Sequence, residues 1–586
     1  MDQKNLLIAI VVSVAILFGF QYLAERFLPH PPPPPPKTAT QAPTAGPSGK
    51  EPGGTPPQEG TLPPAAAPAA VAESREAAIA DQPRVKIDTP RLHGSIALIG
   101  GRIDDLTLAT YHDTVDPKSP EVVLLSPTGT KEPYFAAFGW CPSGGCKDTP
   151  DPALPGAQTK WTPSGSVLSP GHPLTLTWDN GQGLVFTRTF TIDENYMFTV
   201  EDAVKNTGAA PLSLTPYGVL SRAGTPPVSG YYILYEGPIG YLNGAIQDVK
   251  YASLNPEKPV EYTSDGGWLG FTDKYWLTAL VPPQGGQIKA QFRKAIDPDK
   301  VDRYQADYLG APITVPAGGT ASTSTRLFAG AKELNLLQAY AVSGVPLLDY
   351  SIDFGWFWFL TKPIFRILLL LEGLLGNFGL AILLFTFMVK LAFFPLANKS
   401  YSAMSKMKLM QPETVKIREK YPDDKAKQQQ EIMALYKKVG ANPLAGCLPI
   451  VIQIPVFFSL YKVLFVTIEM RHAPFFGWIH DLSAPDPTSF ANLFGLLPFN
   501  PLTVPTIGHF LAIGAWPLIM GVTMFLQQKL NPQPVDPVQA KMFMALPVVF
   551  TYMLSAFPAG LVIYWSWNNL LSIAQQWAIM HRQGAA

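Results

Sequence analysis

The residues of this sequence able to do chemistry are few, and they stand in apolar surroundings. Lys390 lies inside the apolar run Asn377 to Ala397, seven residues before its end. At a rise of about 1.5 Å per residue, that places its backbone roughly 10 Å from the nearer polar boundary. An ionised amine in hydrocarbon is costly unless it meets water, a partner or the headgroups, so a functional role is the default expectation. The plain alternative is that its methylene stem reaches back to the interface. Thr386 sits one turn earlier on the same face, a hydroxyl beside an amine. That pair raises the thought of a nucleophile and its base. Other apolar runs contribute Gln453, Thr523, Gln527, Thr551, Tyr564, Ser566, Asn568, Asn569 and Gln575. No intramembrane acid is matched to Lys390. A hydrated cavity is therefore the simpler way to keep the cation solvated, and non-covalent work the simpler chemistry.

Two rival classes fare worse. A secondary transporter calls for paired intramembrane ions or inverted repeats, and neither is visible. An intramembrane protease would need more than Thr386 beside Lys390, and the sequence has no H-E-x-x-H and no paired aspartates within its candidate spans. No zinc spacing or other cofactor motif occurs, so no cofactor is expected. Cys141 and Cys146 enclose Pro-Ser-Gly-Gly, a spacing that admits a short disulfide in an oxidising compartment or two free thiols in a loop. Cys447 opens an apolar run and reads as a small packing residue.

The elements that position these groups follow from composition. Of 586 residues, 47% are hydrophobic and 15% charged, against about 25% charged in soluble domains, which indicates a membrane protein. Net charge is zero, so no global basic field points to direct readout of nucleic acid. Residues 1–28 hold an apolar stretch, Leu6 to Leu23, read as an uncleaved signal anchor because it is long and no A-x-A site closes it. Residues 29–83 are a Pro/Ala-rich linker opening with Pro31 to Pro36. Residues 84–331 carry strand-length runs. In Leu184 to Ile192, Leu184, Phe186, Phe190 and Ile192 share one parity and Thr187, Thr189 and Thr191 the other, the pattern of a half-buried strand. An antiparallel β-sandwich is expected there.

Residues 332–376 include Phe354 to Leu375, rich in aromatic residues but interrupted by Lys362, Pro363, Arg366 and Glu372. This reads as an amphipathic helix at the outer membrane interface. Residues 377–582 hold five candidate spans, Asn377 to Ala397, Cys447 to Ile468, Phe510 to Gln528, Met542 to Ala556 and Ala559 to Trp577, with a helical hairpin at 398–446 between the first two. The fold class is thus a polytopic α-helical membrane protein with six transmembrane helices, five of them in a C-terminal bundle, and a large antiparallel β-sandwich domain. The hairpin reads as helices Ser402 to Lys420 and Asp424 to Val439, with Met404, Met407 and Met410 as a stripe.

Loop charge orients the whole. The hairpin carries ten lysines and arginines from Lys399 to Lys438, whereas the loop Glu469 to His509 carries only Arg471. The positive-inside rule makes the first cytoplasmic and the second periplasmic. Both termini are then cytoplasmic and the β-domain periplasmic.

The runs Phe387-Met-Val-Lys-Leu-Ala-Phe-Phe-Pro-Leu396, Asn442-Pro-Leu-Ala-Gly-Cys-Leu-Pro-Ile-Val-Ile-Gln-Ile-Pro455, Trp478-Ile-His-Asp-Leu-Ser483, Gly521-Val-Thr-Met524 and Phe557-Pro-Ala-Gly-Leu561 resemble the YidC/Oxa family of membrane protein insertases in its Gram-negative form. The resemblance implies a protein of the bacterial inner membrane that inserts and chaperones newly made membrane proteins, alone or with the Sec translocon. It implies a hydrophilic groove in the inner leaflet, placed here at Lys390, Thr386, Gln453, Thr523, Tyr564 and Trp565. Nascent membrane proteins, the Sec translocon, the ribosome and membrane lipids are the partners it suggests. Where the family often has arginine this chain has Lys390, which keeps the charge but loses the bidentate fork. Trp565 replaces a tyrosine found in some members. The chain ends after Arg582 without the long basic tail that some members direct at ribosomes, which weakens that expectation. The stretch Ser489 to Trp516 is long relative to shorter members.

Overall fold

A computed structural model of the chain describes residues 74–143, 145–146, 151, 153–226, 234–296, 300–422, 424–440, 443–505, 507–531 and 537–582. The expected signal anchor at Leu6 to Leu23, and all of the linker before residue 74, lie outside the described residues.

After a short helix, α1 (Arg75–Ala80), the chain enters two stacked sheets, one of eleven and one of nine strands among the described residues. The alternation in Leu184–Ile192 does its expected work. Leu184, Phe186, Phe190 and Ile192 are buried while the threonines face outward, and the strand pairs antiparallel with Met197–Asn206 and with Leu174–Asp179. Among the described residues the named strands pair antiparallel apart from a short parallel contact of Lys86 and Ile87 with Val167 and Leu168. The inner faces meet over Phe186, Phe190, Phe198, Trp268, Phe292 and Phe328, all fully buried.

Arg188 shares the buried parity of its strand and is 1% exposed. A guanidinium there is tolerated only if its donors are satisfied. Nε donates to Asp202 Oδ1 at 2.6 Å, Nη1 to the Gly101 carbonyl at 3.0 Å and Nη2 to the Phe138 carbonyl at 2.6 Å. The last contact reaches the opposite sheet, so this arginine ties the two layers together. Cys141 and Cys146 form a disulfide with Cα atoms 4.9 Å apart, resolving the two readings of that pair.

The last strand, Thr320–Ala331, leads into α2 (Leu334–Val342) and then α3 (Trp358–Leu375). One face of α3 buries Thr361, Ile364, Phe365, Leu368 and Leu371, and the other exposes Ile367, Leu370 and Leu374. The helix is therefore apolar on both sides. Its two cations are held at the rim: Lys362 pairs with Asp349 at 2.8 Å and Arg366 donates to Gln338 at 3.1 Å. Gly376, in the left-handed region at φ 65°, ends α3, and the Asn377 side chain caps α4 (Phe378–Ala392) by accepting from Leu380 N.

The expected span Asn377 to Ala397 ends early. At Phe393 the chain bends by 67° into α5 (Phe394–Leu409). Pro395 lies in the first turn of α5, where it cannot donate the bond that would continue α4. The expected hairpin arm Ser402 to Lys420 is likewise broken, at Met410, where α6 (Gln411–Lys420) starts with Pro412 in its first turn. α7 (Lys425–Val439) is capped by Asp424 and ended by left-handed Gly440.

The remaining helices are α8 (Pro443–Val466), α9 (Gly508–Leu511), α10 (Ala515–Leu530), α11 (Pro537–Leu554) and α12 (Ala559–Arg582). Among the described residues no single helix is both long and apolar enough to cross a membrane by itself, while the bent pair α4–α5 passes that test jointly. Large apolar side chains nonetheless line the outside of the helices, among them Leu384, Leu391, Phe458, Val522, Val548 and Met553. An apolar surface of that extent suits lipid rather than water. α10 and α11 approach closely at Gly521, where a Cβ would overlap the Thr551 hydroxyl, which accounts for glycine in that motif.

Candidate functional site

The polar side chains inside the helical bundle converge on α12. Asn568, Asn569, Ser572, Gln575 and Gln576 fall within an arc of about 120° at 100° per residue. Each of three neighbouring helices sends one group to that stripe. Lys390 of α4 donates from Nζ to Ser572 Oγ at 2.8 Å. Gln453 of α8 donates to Asn568 Oδ1 at 3.2 Å, and Thr523 of α10 accepts from Asn569 Nδ2 at 3.3 Å. Further along, Gln576 donates to Asn531 at 3.1 Å.

Hydrogen bonds between side chains are how polar groups are tolerated in a helix bundle facing lipid. Here the accounts do not close. Gln575 Nε2 and Gln576 Oε1 are buried without a hydrogen-bond partner among the described residues. Buried amide atoms of that kind call for water. Among the described residues no carboxylate is in ion-pair contact with Lys390, and the side chain remains partly exposed. Beside it on α4, Phe387, Met388 and Leu391 are exposed apolar residues. The result is a polar strip bordered by an apolar one.

Of the expected site residues, Lys390, Gln453 and Thr523 are brought together on α12. Thr386 is not part of that strip. It is 3% exposed and its hydroxyl donates back to the Ile382 carbonyl at 2.7 Å, one turn earlier, the usual way a buried threonine satisfies itself in a helix. Tyr564 is 4% exposed and stacks on Phe457, while Trp565 meets the same ring edge-on at 4.9 Å. With Tyr461 and Phe557 these rings form an aromatic plug at the Ala559 end of the strip. Their rings pack against one another and not against the Asn568–Ser572 stripe, because large apolar faces stack well together.

Ser572 and Gln576 were not foreseen, although their spacing of four and eight residues from Asn568 was a usable signal. Lys462 was also missed. It is 7% exposed near the end of α8 and pairs with Asp353 at 2.5 Å. The loop after α8 is held rigidly against α12. Asp481 Oδ1 accepts from His472 N, Ser483 N and Ser483 Oγ, and the Leu482 and Ala484 carbonyls accept from Gly560 N and Ala559 N. The runs Trp478 to Ser483 and Phe557 to Leu561 are thus in direct backbone contact.

Residues 84–367 match the family model for the YidC periplasmic domain, and residues 370–585 match the 60Kd inner membrane protein family. The chain is 52% identical over 605 residues to the membrane protein insertase YidC of Bradyrhizobium diazoefficiens, covering 100% of this chain and 97% of that one. It is 51% identical over 606 residues to that of Methylorubrum extorquens, covering 100% and 96%. For Granulibacter bethesdensis the identity is 49% over 590 residues, covering 99% and 98%. A crystal structure of an active YidC insertase with its first transmembrane domain resolved aligns at 18% identity and a TM-score of 0.36, covering 87% of this chain and 94% of that chain.

Proposed function

The chain belongs to the YidC family of membrane protein insertases, and from that membership we propose that insertion proceeds along the α12 strip without covalent chemistry. The protein is an inner-membrane insertase with a periplasmic β-domain, and nascent membrane proteins are its substrates. Lys390, Gln453, Thr523, Asn568 and Ser572 receive a short hydrophilic segment of the client in water that penetrates from the cytoplasmic side. The segment then has less hydrocarbon to cross. The client's apolar helix leaves past Phe387 and Leu391 into lipid, driven by burial of its apolar surface. The aromatic plug around Phe457 and Tyr564 keeps the recess shut toward the periplasm.

One observation carries this reading: a single helix collects polar partners from three others, yet among the described residues it leaves buried amide atoms unsatisfied beside a lysine with no carboxylate partner. A purely structural polar seam would be expected to close its hydrogen bonds.

The same proposal places both termini and the α5–α7 hairpin in the cytoplasm, with six spans in all and domains at 1–28, 29–83, 84–331, 332–376 and 377–582. The lysines of the hairpin support it through the positive-inside rule. That basic surface suits lipid headgroups or the ribosome, and the exposed apolar flank suits the Sec translocon as a lateral neighbour.

Site-specific photo-cross-linking during synthesis of a small client tests the route. Probes at Gln453 and Leu391 are expected to capture the client, whereas probes at Leu370 on α3 stay silent. Capture from Leu370 but not from Gln453 or Leu391 would place the path elsewhere.

A further inference from the structure

The long segment between α8 and α10 has no part in the strip. From Pro487 to Gln528 the sequence contains no Asp, Glu, Lys or Arg. Within it, Leu493, Phe494, Leu496, Leu497, Phe499 and Leu502 are all exposed, Leu496 at 82%. Ile507 and Phe510 continue the same surface. On a water-facing loop such a concentration of large apolar side chains is unfavourable.

The segment is nevertheless built, not loose. Ser489 Oγ donates to the Leu511 carbonyl at 2.6 Å and Phe490 N to the Ile513 carbonyl at 3.0 Å, closing the base of the loop. Asn492 Nδ2 donates to the Phe499 carbonyl at 3.3 Å. Leu493 and Phe494 both hold left-handed backbone, at φ 52° and 58°, a conformation unfavourable for bulky side chains. Asp486 Oδ2 accepts from Trp516 N at 2.8 Å and Thr488 Oγ1 from Ala515 N at 2.9 Å, so the loop is fastened to the first turn of α10.

We propose that residues 489–511 are immersed in the outer leaflet of the bilayer, with phospholipid acyl chains as the occupant of their exposed apolar face. Two observations select lipid. The surface is continuous with the outside of α11, because Phe510 lies against Tyr552 with ring centroids 6.4 Å apart and Tyr552 is itself exposed. And α10 is short: 16 residues give roughly 24 Å, less than the ~30 Å hydrocarbon core. An apolar loop tied to its N-terminus supplies the missing apolar height there, which otherwise would be met by thinning the bilayer. The assignment to the outer leaflet rests on the orientation proposed above, whereas immersion itself does not.

Spin labels test it in the full-length protein, with Cys447→Ala as background, reconstituted into phosphatidylethanolamine/phosphatidylglycerol nanodiscs. Labels at Leu496→Cys and Leu502→Cys are compared with Val548→Cys on α11 and Glu201→Cys on the β-domain, each variant first shown monodisperse. The expected result is high collision with oxygen and low collision with a water-soluble nickel chelate, in the ratio found at Val548. A nickel accessibility equal to that at Glu201 overturns the proposal. Low accessibility to both probes also overturns it, since protein rather than lipid would then cover the loop. In intact cells, an impermeant thiol reagent that reached Glu431→Cys but not Glu201→Cys would reverse the orientation and leave the immersion standing.

Discussion

Lys462 of α8 and Asp353 of the connector before α3 meet at 2.5 Å, joining the helical bundle to the chain that leaves the β-domain. The lysine is 7% exposed, and the same carboxylate accepts from Tyr235 N at 2.9 Å. Close by, Arg471 donates to the His112 carbonyl at 2.6 Å, so the β-domain is fastened to α8 and the loop beyond it at more than one point.

Removing one member of the Lys462–Asp353 pair leaves the other charged and poorly solvated. Lys462→Met or Asp353→Asn alone is expected to lower stability by about 2 kcal/mol, in the range for hydrogen bonds to charged groups. The double variant should recover part of that loss. Thermal unfolding of all four proteins in one detergent measures the coupling, and strictly additive losses would show that the contact is energetically idle.

The second expectation concerns Lys390. If it acts through long-range attraction, Lys390→Arg is nearly silent, Lys390→Ala impairs clients with acidic translocated segments, and Lys390→Glu is worst. In a wet recess of effective dielectric near 20, attraction is about 4 kcal/mol at 4 Å and falls with distance, enough to change insertion several-fold. Insertion of acidic and neutral clients into proteoliposomes gives the comparison. Equal insensitivity of both to Lys390→Ala, in folded protein, would leave snorkelling as its role. Ser572→Ala should have a smaller effect, since it removes a partner and not the charge.

Lys332 offers a pH test outside the membrane. It is 3% exposed at the end of the last strand, and Nζ donates to Thr272 Oγ1 at 2.9 Å. Burial lowers its pKa to about 8, against the pull of Asp273, Glu236 and Asp353 and with repulsion from Lys462 adding to it. A lysine with a depressed folded pKa is protonated more readily in the unfolded chain. Its charged burial therefore destabilises below about pH 8, and stability gains as pH rises from there toward the unfolded value of about 10.5. Lys332→Met should flatten the stability profile between pH 8 and 10. A profile unchanged by the substitution would contradict the assignment.

Topology yields the fourth test. Cysteine at Glu431 on α7 should react with thiol reagents only after the inner membrane is opened, and cysteine at Glu201 on the β-domain should react from the periplasm. Reaction at Glu431 in intact spheroplasts would overturn the orientation.

Much of this protein is readable from local pattern because its interactions are local or one-dimensional. Period-2 alternation in Leu184–Ile192 identified a sandwich strand, while Gly376 and Gly440 mark helix ends by their left-handed backbone and Asn377 and Asp424 by their capping side chains. Loop charge supports the proposed orientation without reference to any contact. The family was legible from short motifs whose small residues sit at close approaches, as Gly521 does against the Thr551 hydroxyl.

What the residues alone left open depends on partners distant in sequence. Arg188 has the parity of a core residue but the chemistry of a surface one, and only Gly101 and Phe138 on the facing sheet explain it. Thr386 and Lys390 share a helical face in the sequence, yet the fold turns one hydroxyl to its own backbone and sends the amine 182 residues away to Ser572. Tyr564 and Trp565, polar enough to suggest a lining, are claimed by the Phe457 ring. Helix breaks at Phe393 and Met410 follow from the prolines after them, but the 67° direction of the first bend is set by packing against α8 and α12. The sequence by itself determined the membrane class, the family, the sandwich and the charge asymmetry, all properties of composition and short-range spacing. The tertiary structure alone decided which polar groups share one strip, because that depends on which faces of α4, α8 and α10 are turned toward α12.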